Sequence, residues 1–183
     1  LKILVQRFKD EGVGYICGKL VYSNAEDNIT SNTESSYWNY DLSMRLWESN
    51  ISSITAGNGA IYAIRKNNYV DIDLIRCHDG AMPTEMVLQN KKALFEPKAI
   101  AFEKAGETTD DEFSRKVRMG RGLPWSKYEH LEKYNILKYG WFSYFYFSHR
   151  YLRYSLYLLH SFLLISNMFL MDKGIIYILS LGG

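Results

Sequence analysis

The stretch RCHDGAMPTEMVLQNKKALFEPKAIAFEKAGETTDDEFSRKVRM, residues 76–119, decides how this chain is read, because it predicts a helix, a strand pair and a second helix in succession. Asp79 lies in a turn-like segment just ahead of Pro83. Proline suits the first turn of a helix, where its missing N–H would have no partner anyway, so the spacing predicts a helix through Glu85, Met86 and Leu88. Residues 93–95 and 99–102 read as short strands broken at Glu96-Pro97, where proline favours a turn or an edge. Thr109 and Glu112 then have the spacing of a capping box, and Asp110, Asp111 and Glu112 load the first turn with favourable negative charge. Phe113 and Val117 are the expected buried stripe of that helix. Arg115 and Arg118 are three residues apart and share a face beside Lys116. A lone carboxylate near several cations suits transfer from a phosphate leaving group, the carboxylate taking a proton while the cations absorb the charge that departs. The plainer alternative is a solvated basic face, since cations late in a helix also complement its dipole.

Working upstream, Leu1, Leu4, Val5 and Phe8 have the spacing of an amphipathic helix that ends at Gly12. VGYICGKLVY, residues 13–22, is rich in β-branched and aromatic residues and reads as a buried strand, with Gly14 and Gly18 marking a bulge or a close backbone approach. Residues 23–36 read as a polar loop. Tyr37, Tyr40, Met44 and Trp47 predict a helix over about 36–49 that packs an aromatic face on the sheet. In TAGNGAIYAIR, residues 55–65, Gly57 and Gly59 bracket Asn58 and lead into a short strand. Such a loop lets a backbone approach a ligand, although on spacing alone a tight turn into a strand is the favoured explanation.

Downstream, Tyr134, Tyr139, Trp141, Phe142, Tyr144, Phe145, Tyr146 and Phe147 crowd the approach to His149, Arg150 and Arg153, in the manner of an interfacial aromatic belt. Residues 154–171 form an 18-residue run without formal charge, close to the roughly 20 that cross a bilayer. Residues 174–181 start another apolar run. Lys133, Lys138, Arg150 and Arg153 precede the first run and Lys173 follows it, which places the preceding domain in the cytoplasm. A net charge of +2 gives no case for nucleic acid. Cys17 and Cys77 are far apart and have no ligand spacing, so neither a disulfide framework nor a zinc site is expected. The start at Leu1 and the end at Gly183 suggest a fragment cut at both ends.

Six features in this order resemble the membrane-bound family 2 glycosyltransferases, the group of cellulose, chitin and hyaluronan synthases and bacterial exopolysaccharide enzymes. They are VGYICGKL, YWNYD followed by RLWES, GNGAIYAIRK, HDGAMP, FEPKAIAFE with DDEFSRKVRM, and SHRYLRY, covering roughly residues 1–155. The resemblance implies an α/β fold, a partial Rossmann-like GT-A domain over 1–125, followed by an interfacial segment over 126–153 and, over 154–183, a transmembrane helix with the start of a second. It implies inverting transfer of a sugar from a nucleotide-diphosphate donor to a polysaccharide or lipid-linked acceptor at a membrane. Asp79 matches the family's catalytic base, with His78 where an acid is usual. Arg118 matches the arginine that contacts the diphosphate, with Arg115 in place of glutamine and Met119 in place of tryptophan. Lys116, Gly57, Asn58 and Gly59 complete the expected substrate contacts. Mg²⁺ or Mn²⁺ is expected in the full enzyme, held by an Asp-x-Asp upstream of Leu1, while Asp71 and Asp73 match that pattern only in bare form. Two alternatives remain: a non-catalytic remnant or membrane scaffold lacking the nucleotide half, and a transferase that loads a single sugar on a lipid carrier.

Overall fold

The computed structural model describes all residues except 23–28, 74, 104–112, 115–116, 119, 123–126, 171–172 and 175–183, and describes only the backbone of 22 and 29–39. The described chain divides into two units, Leu1–Tyr146 and Phe147–Gly183.

The first unit is built on a three-stranded mixed sheet. Helix α1 (Lys2–Arg7) leads into β1 (Val13–Tyr22), which becomes the middle strand, antiparallel to β2 (Tyr62–Ile64) and parallel to β3 (Lys92–Glu103). With partners on both sides, β1 is not the open edge that its early position suggests. Both glycines in β1 mark irregular pairing. Gly14 is passed over between Val13 opposite Lys92 and Tyr15 opposite Ala93, and Pro97, Lys98 and Ala99 bulge out between Glu96 opposite Gly18 and Ile100 opposite Lys19. Proline cannot donate to a ladder, so it stands where the ladder is interrupted. At Gly18 a Cβ would collide with the Ala99 carbonyl oxygen, so the bulge needs glycine there.

Helix α2 (Ile29–Ile51) begins earlier than its aromatic spacing predicts and turns a different face to the sheet. Tyr40 and Trp47 are exposed, whereas Leu42 packs on the core and Glu48 is buried. That carboxylate accepts from the Thr55 N–H at 2.9 Å and from its hydroxyl at 3.1 Å. The outer edge of β3 is covered by the same region: the Phe95 N–H donates to Ser49 Oγ, the Ala93 N–H to Ser53 Oγ, and the Ala93 carbonyl accepts from the Ile54 N–H. Arg65 closes the other side by donating to the carbonyls of Phe8, Asp10 and Val13. Beneath these, Tyr15, Cys17, Ile54, Met82, Met86, Ala93 and Phe95 form one core cluster, and Leu4, Val13, Ile16 and Ala99 form another.

Helix α3 (His78–Leu88) follows the spacing of the opening stretch only in part, because it starts five residues before Pro83 instead of at it. The aromatic segment after it folds back on this unit. Helices α4 (Ile136–Tyr139) and α5 (Trp141–Phe145) bring Phe142 and Tyr146 against Val87 of α3, with Tyr134 and Tyr139 alongside, so half of the expected interfacial belt is core. Trp141 and Tyr144 stay exposed.

In the second unit the backbone runs from a π-helical segment (Tyr146–Leu152) through a 3-10 turn (Arg153–Ser155) into α6 (Leu156–Leu170). This corrects the expected GT-A domain followed by an interfacial and a transmembrane helix. Among the described residues there is a three-stranded sheet, and no helix is long and apolar enough to cross a membrane. The uncharged run loses its first residues to the 3-10 turn, and the 15 described residues of α6 rise about 22 Å against a hydrocarbon core of about 30 Å. Polar side chains on α6 bond to its own backbone, Ser161 donating to the Tyr157 carbonyl and His160 Nδ1 lying 2.7 Å from that of Leu156. The second apolar run lies outside the described residues.

Candidate functional site

Pro83 explains how the site is assembled. In a helix each N–H reaches the carbonyl four residues back, so a proline at 83 leaves the carbonyl of Asp79 without its helical donor. That carbonyl instead accepts the Gly57 N–H at 2.9 Å. The glycine loop is thereby fastened to the first turn of α3. Asn58 anchors the loop from below: it is buried, its Nδ2 donates to the Gly18 carbonyl at the bulge, and its Oδ1 accepts from the N–H groups of Ala60 and Ile61 at 3.0 and 3.2 Å. Its side chain is thus committed to the loop. Gly59 is exposed, and a Cβ there would stand 3.7 Å from Asp79 Oδ2. Even a side chain there would only touch that oxygen, while Oδ1 accepts the Gly80 N–H at 3.1 Å.

Gly57 meets the core as well as the helix. A Cβ on it would overlap the hydroxyl of Tyr15, a side chain that is fully buried on the middle strand. That hydroxyl has no hydrogen-bond partner among the described residues. Burial, then the charges of Cys17 and Asp79, push the Tyr15 phenol well above its ordinary value, while Arg45 acts in the opposite direction. Cys17 is pushed up to about 12, chiefly by burial. Arg45 on α2 pairs with Asp41 at 2.7 Å.

His78 is the first residue of α3. Its ring lies between those of Tyr62, 5.6 Å away, and Tyr69, 5.7 Å away. Opposite, the segment containing Arg118 comes close to the start of α3: a Cβ on Gly122 would lie 2.9 Å from the Ile75 carbonyl oxygen and 3.8 Å from the Cys77 N–H nitrogen. Arg118 is exposed. It shares the environment of Cys77 with Asp79: burial raises that thiol, Asp79 raises it further and Arg118 lowers it. The expected carboxylate therefore lies in the first turn of α3, and the expected arginine is near enough to act on Cys77 just before that turn. Arg115, Lys116 and Met119, and the expected capping box at Thr109, lie outside the described residues. Phe113 and Val117 are exposed, so the stripe predicted to be buried is not.

A second polar group sits on the other side of α3. Arg76 donates to Glu129 at 2.9 Å and to Glu85 at 3.1 Å, and His130 Nε2 is 3.3 Å from Glu85. Lys133, buried and lying 4.5 Å from the Tyr146 ring centre, has its pKa lowered to about 8 by burial and then by Arg76. Glu85, Glu129 and His130 bring possible ligand atoms within 4.8 Å of one another. They do not fit Mg²⁺ or Mn²⁺, because the Arg76 guanidinium already bonds both carboxylates and a hard dication needs mostly oxygen ligands. Asp71 and Asp73 are exposed, and Asp73 Oδ1 accepts the Ile75 N–H at 3.0 Å as part of a turn.

Sequence reasoning missed Tyr15, Tyr62, Tyr69 and this ion-pair group. The i,i+4 spacing of Asp41 and Arg45 is the one local signal that pointed to any of the neighbouring polar residues. Comparison with protein-family models and with curated protein sequences returned no match.

Proposed function

We propose that the first unit carries the acceptor and leaving-group side of an inverting glycosyl transfer from a nucleotide-diphosphate sugar to a saccharide or lipid-linked acceptor. The observation that carries this reading is that Asp79, in the first turn of α3, and Arg118 both act on Cys77 at the start of that helix, with the glycine loop bonded to Asp79 through Gly57. In a single displacement the acceptor hydroxyl attacks the anomeric carbon, its proton passes to the Asp79 carboxylate, and the bond from that carbon to the diphosphate oxygen breaks. The negative charge leaving with the nucleoside diphosphate faces the Arg118 guanidinium. The backbone bond from Gly57 to Asp79 fixes the position of the carboxylate's own residue, which limits misalignment of the base. No step is routed through a metal, since the described residues do not fit one.

The test is transfer of radiolabel from UDP-sugars to short oligosaccharides by the wild-type chain and by Asp79→Asn, with UDP binding followed by calorimetry. Asp79→Asn is expected to lower transfer on the order of 10²–10⁴-fold with UDP affinity nearly unchanged. Undiminished transfer by that variant rejects Asp79 as base. Absence of both UDP binding and transfer, in this chain and in one extended at its N-terminus with a nucleotide-binding half, supports a non-catalytic scaffold instead.

A further inference from the structure

The rings of Tyr15, Tyr62, His78 and Tyr69 form a continuous stack that climbs from the core to the surface. Tyr15 and Tyr62 lie 5.7 Å apart at 18°, Tyr62 and His78 5.6 Å at 30°, and Tyr69 and His78 5.7 Å at 26°. The bottom ring is fully buried and the top ring, Tyr69, is 50% exposed. One face of Tyr69 is taken by His78, so the accessible face is the one directed away from it. His78 immediately precedes Asp79.

We infer that Tyr69, backed by His78, is a platform on which a pyranose ring of the acceptor stacks while one of its hydroxyls reaches Asp79. The inference rests on the glycosyl-transfer reading for the role of Asp79, but not for the binding itself. A pyranose has a face of C–H groups and an edge of hydroxyls. The C–H face is apolar and slightly positive, which suits the negative face of an aromatic ring, and the hydroxyl edge then projects sideways. Asp79, the candidate base, follows His78 directly in the first turn of α3.

The mounting of the ring supports the assignment. Tyr69 follows the 3-10 turn Lys66–Asn68, and its N–H donates to the Lys66 carbonyl at 3.2 Å. Asn68 is clamped to Gln89 at the far end of α3 by two bonds, Asn68 Nδ2 to Gln89 Oε1 at 3.0 Å and Gln89 Nε2 to the Asn68 carbonyl at 3.1 Å. The other ring of the pair, His78, starts the same helix. Platform and base are thus held by one rigid element, and little ordering entropy remains to oppose binding. Tyrosine adds its own rigidity, with few rotatable bonds to fix.

The experiment is saturation-transfer NMR and calorimetry of the whole chain with cellotetraose and chitotetraose. At least one is expected to bind, with saturation passing from aromatic protons to sugar C–H groups. Tyr69→Ala and Tyr69→Leu should each weaken binding about tenfold, ~1.4 kcal/mol, whereas Tyr69→Phe stays within about twofold, because the ring and not the hydroxyl makes the contact. Equal affinity in Tyr69→Ala overturns the platform, as does a loss in Tyr69→Phe as large as in Tyr69→Ala, or no binding of either tetrasaccharide by the wild type. Transfer separates the two claims. Asp79-dependent transfer with an acceptor KM unaffected by Tyr69→Ala removes the platform alone. Tyr69-dependent binding without any transfer removes the catalytic reading and leaves a saccharide-binding site.

Discussion

Replacing Gly57 by alanine tests how the glycine loop is seated between the core and α3. The added methyl would overlap the Tyr15 hydroxyl and lie 2.8 Å from Cζ and 3.1 Å from Cε1 of that ring. The ring has nowhere to go: it is fully buried on the middle strand and stacked on Tyr62. The loop must lift instead, stretching the 2.9 Å bond from the Gly57 N–H to the Asp79 carbonyl. Overpacking costs about 1–3 kcal/mol and the lost bond about 1 kcal/mol, so Gly57→Ala should destabilise by roughly 2–4 kcal/mol. In a chain of this size that lowers Tm by roughly 4–16 °C. Tyr15→Phe should be neutral or stabilising by about 1 kcal/mol, since it removes a buried hydroxyl that has no partner among the described residues. Combined with Tyr15→Phe, the alanine should cost only about 1 kcal/mol, leaving a coupling of about 1–3 kcal/mol in the double-mutant cycle. Urea unfolding followed by circular dichroism measures all four chains. Additivity within about 0.5 kcal/mol, or a Tyr15→Phe variant that loses more than about 1 kcal/mol, would refute the seating described.

Two predictions concern pH. Burial raises the Cys17 thiol from an ordinary 9.0 to about 12, so the unfolded chain gives up that proton first; the contribution is complete below about pH 9 and is lost as pH rises towards 12. Against Cys17→Ala, the wild type should lose about 1.4 kcal/mol between pH 7 and pH 10, and parallel unfolding midpoints would show the thiol to be solvated. Lys133 runs the other way: its folded pKa is lowered from 10.5 to about 8, the unfolded chain binds the extra proton between those values, and stability rises with pH across that window. The difference between wild type and Lys133→Met should shift by about 3 kcal/mol in favour of the wild type from pH 7 to pH 10.5, and an unchanged difference would show the ammonium to be solvated.

The elements whose signals are local were legible in the sequence. VGYICGKLVY is β1 along its whole predicted length, its two glycines sit at the irregularities of pairing, and the turn before Ile61 is where the glycines put it. Signals that depend on distant partners were not. The period of Tyr40 and Trp47 is genuine, but those rings face solvent, because the sheet side of α2 is occupied by Leu42 and by Glu48, which is bonded to a threonine seven residues away. The uncharged run before Met171 has the composition of a span, yet composition does not encode the change from π through 3-10 to α geometry that shortens it. Arg76 and Glu129 are separated by 53 residues and share no period. The stacked rings at 15, 62, 69 and 78 belong to a strand, another strand, a turn and a helix, so no single window contains them.

Pro83 shows why the site was only half legible. Proline in the first turn of a helix is a sound local rule, and it placed Asp79 just outside the helix as a loop carboxylate. With the helix starting at His78, the same proline acts from inside, removing the donor that would have occupied the Asp79 carbonyl. The freed carbonyl is what the Gly57 N–H finds, and the loop that follows it must then pass over Tyr15 so closely that only glycine fits. The position of the carboxylate is therefore tied through a single backbone bond to the loop, and through the loop to the ring at the centre of the sheet. The base proposed at Asp79 would owe its alignment to the core and not to neighbours on its own helix, so under that proposal substitutions at Gly57 or Tyr15 perturb transfer without touching any reacting atom.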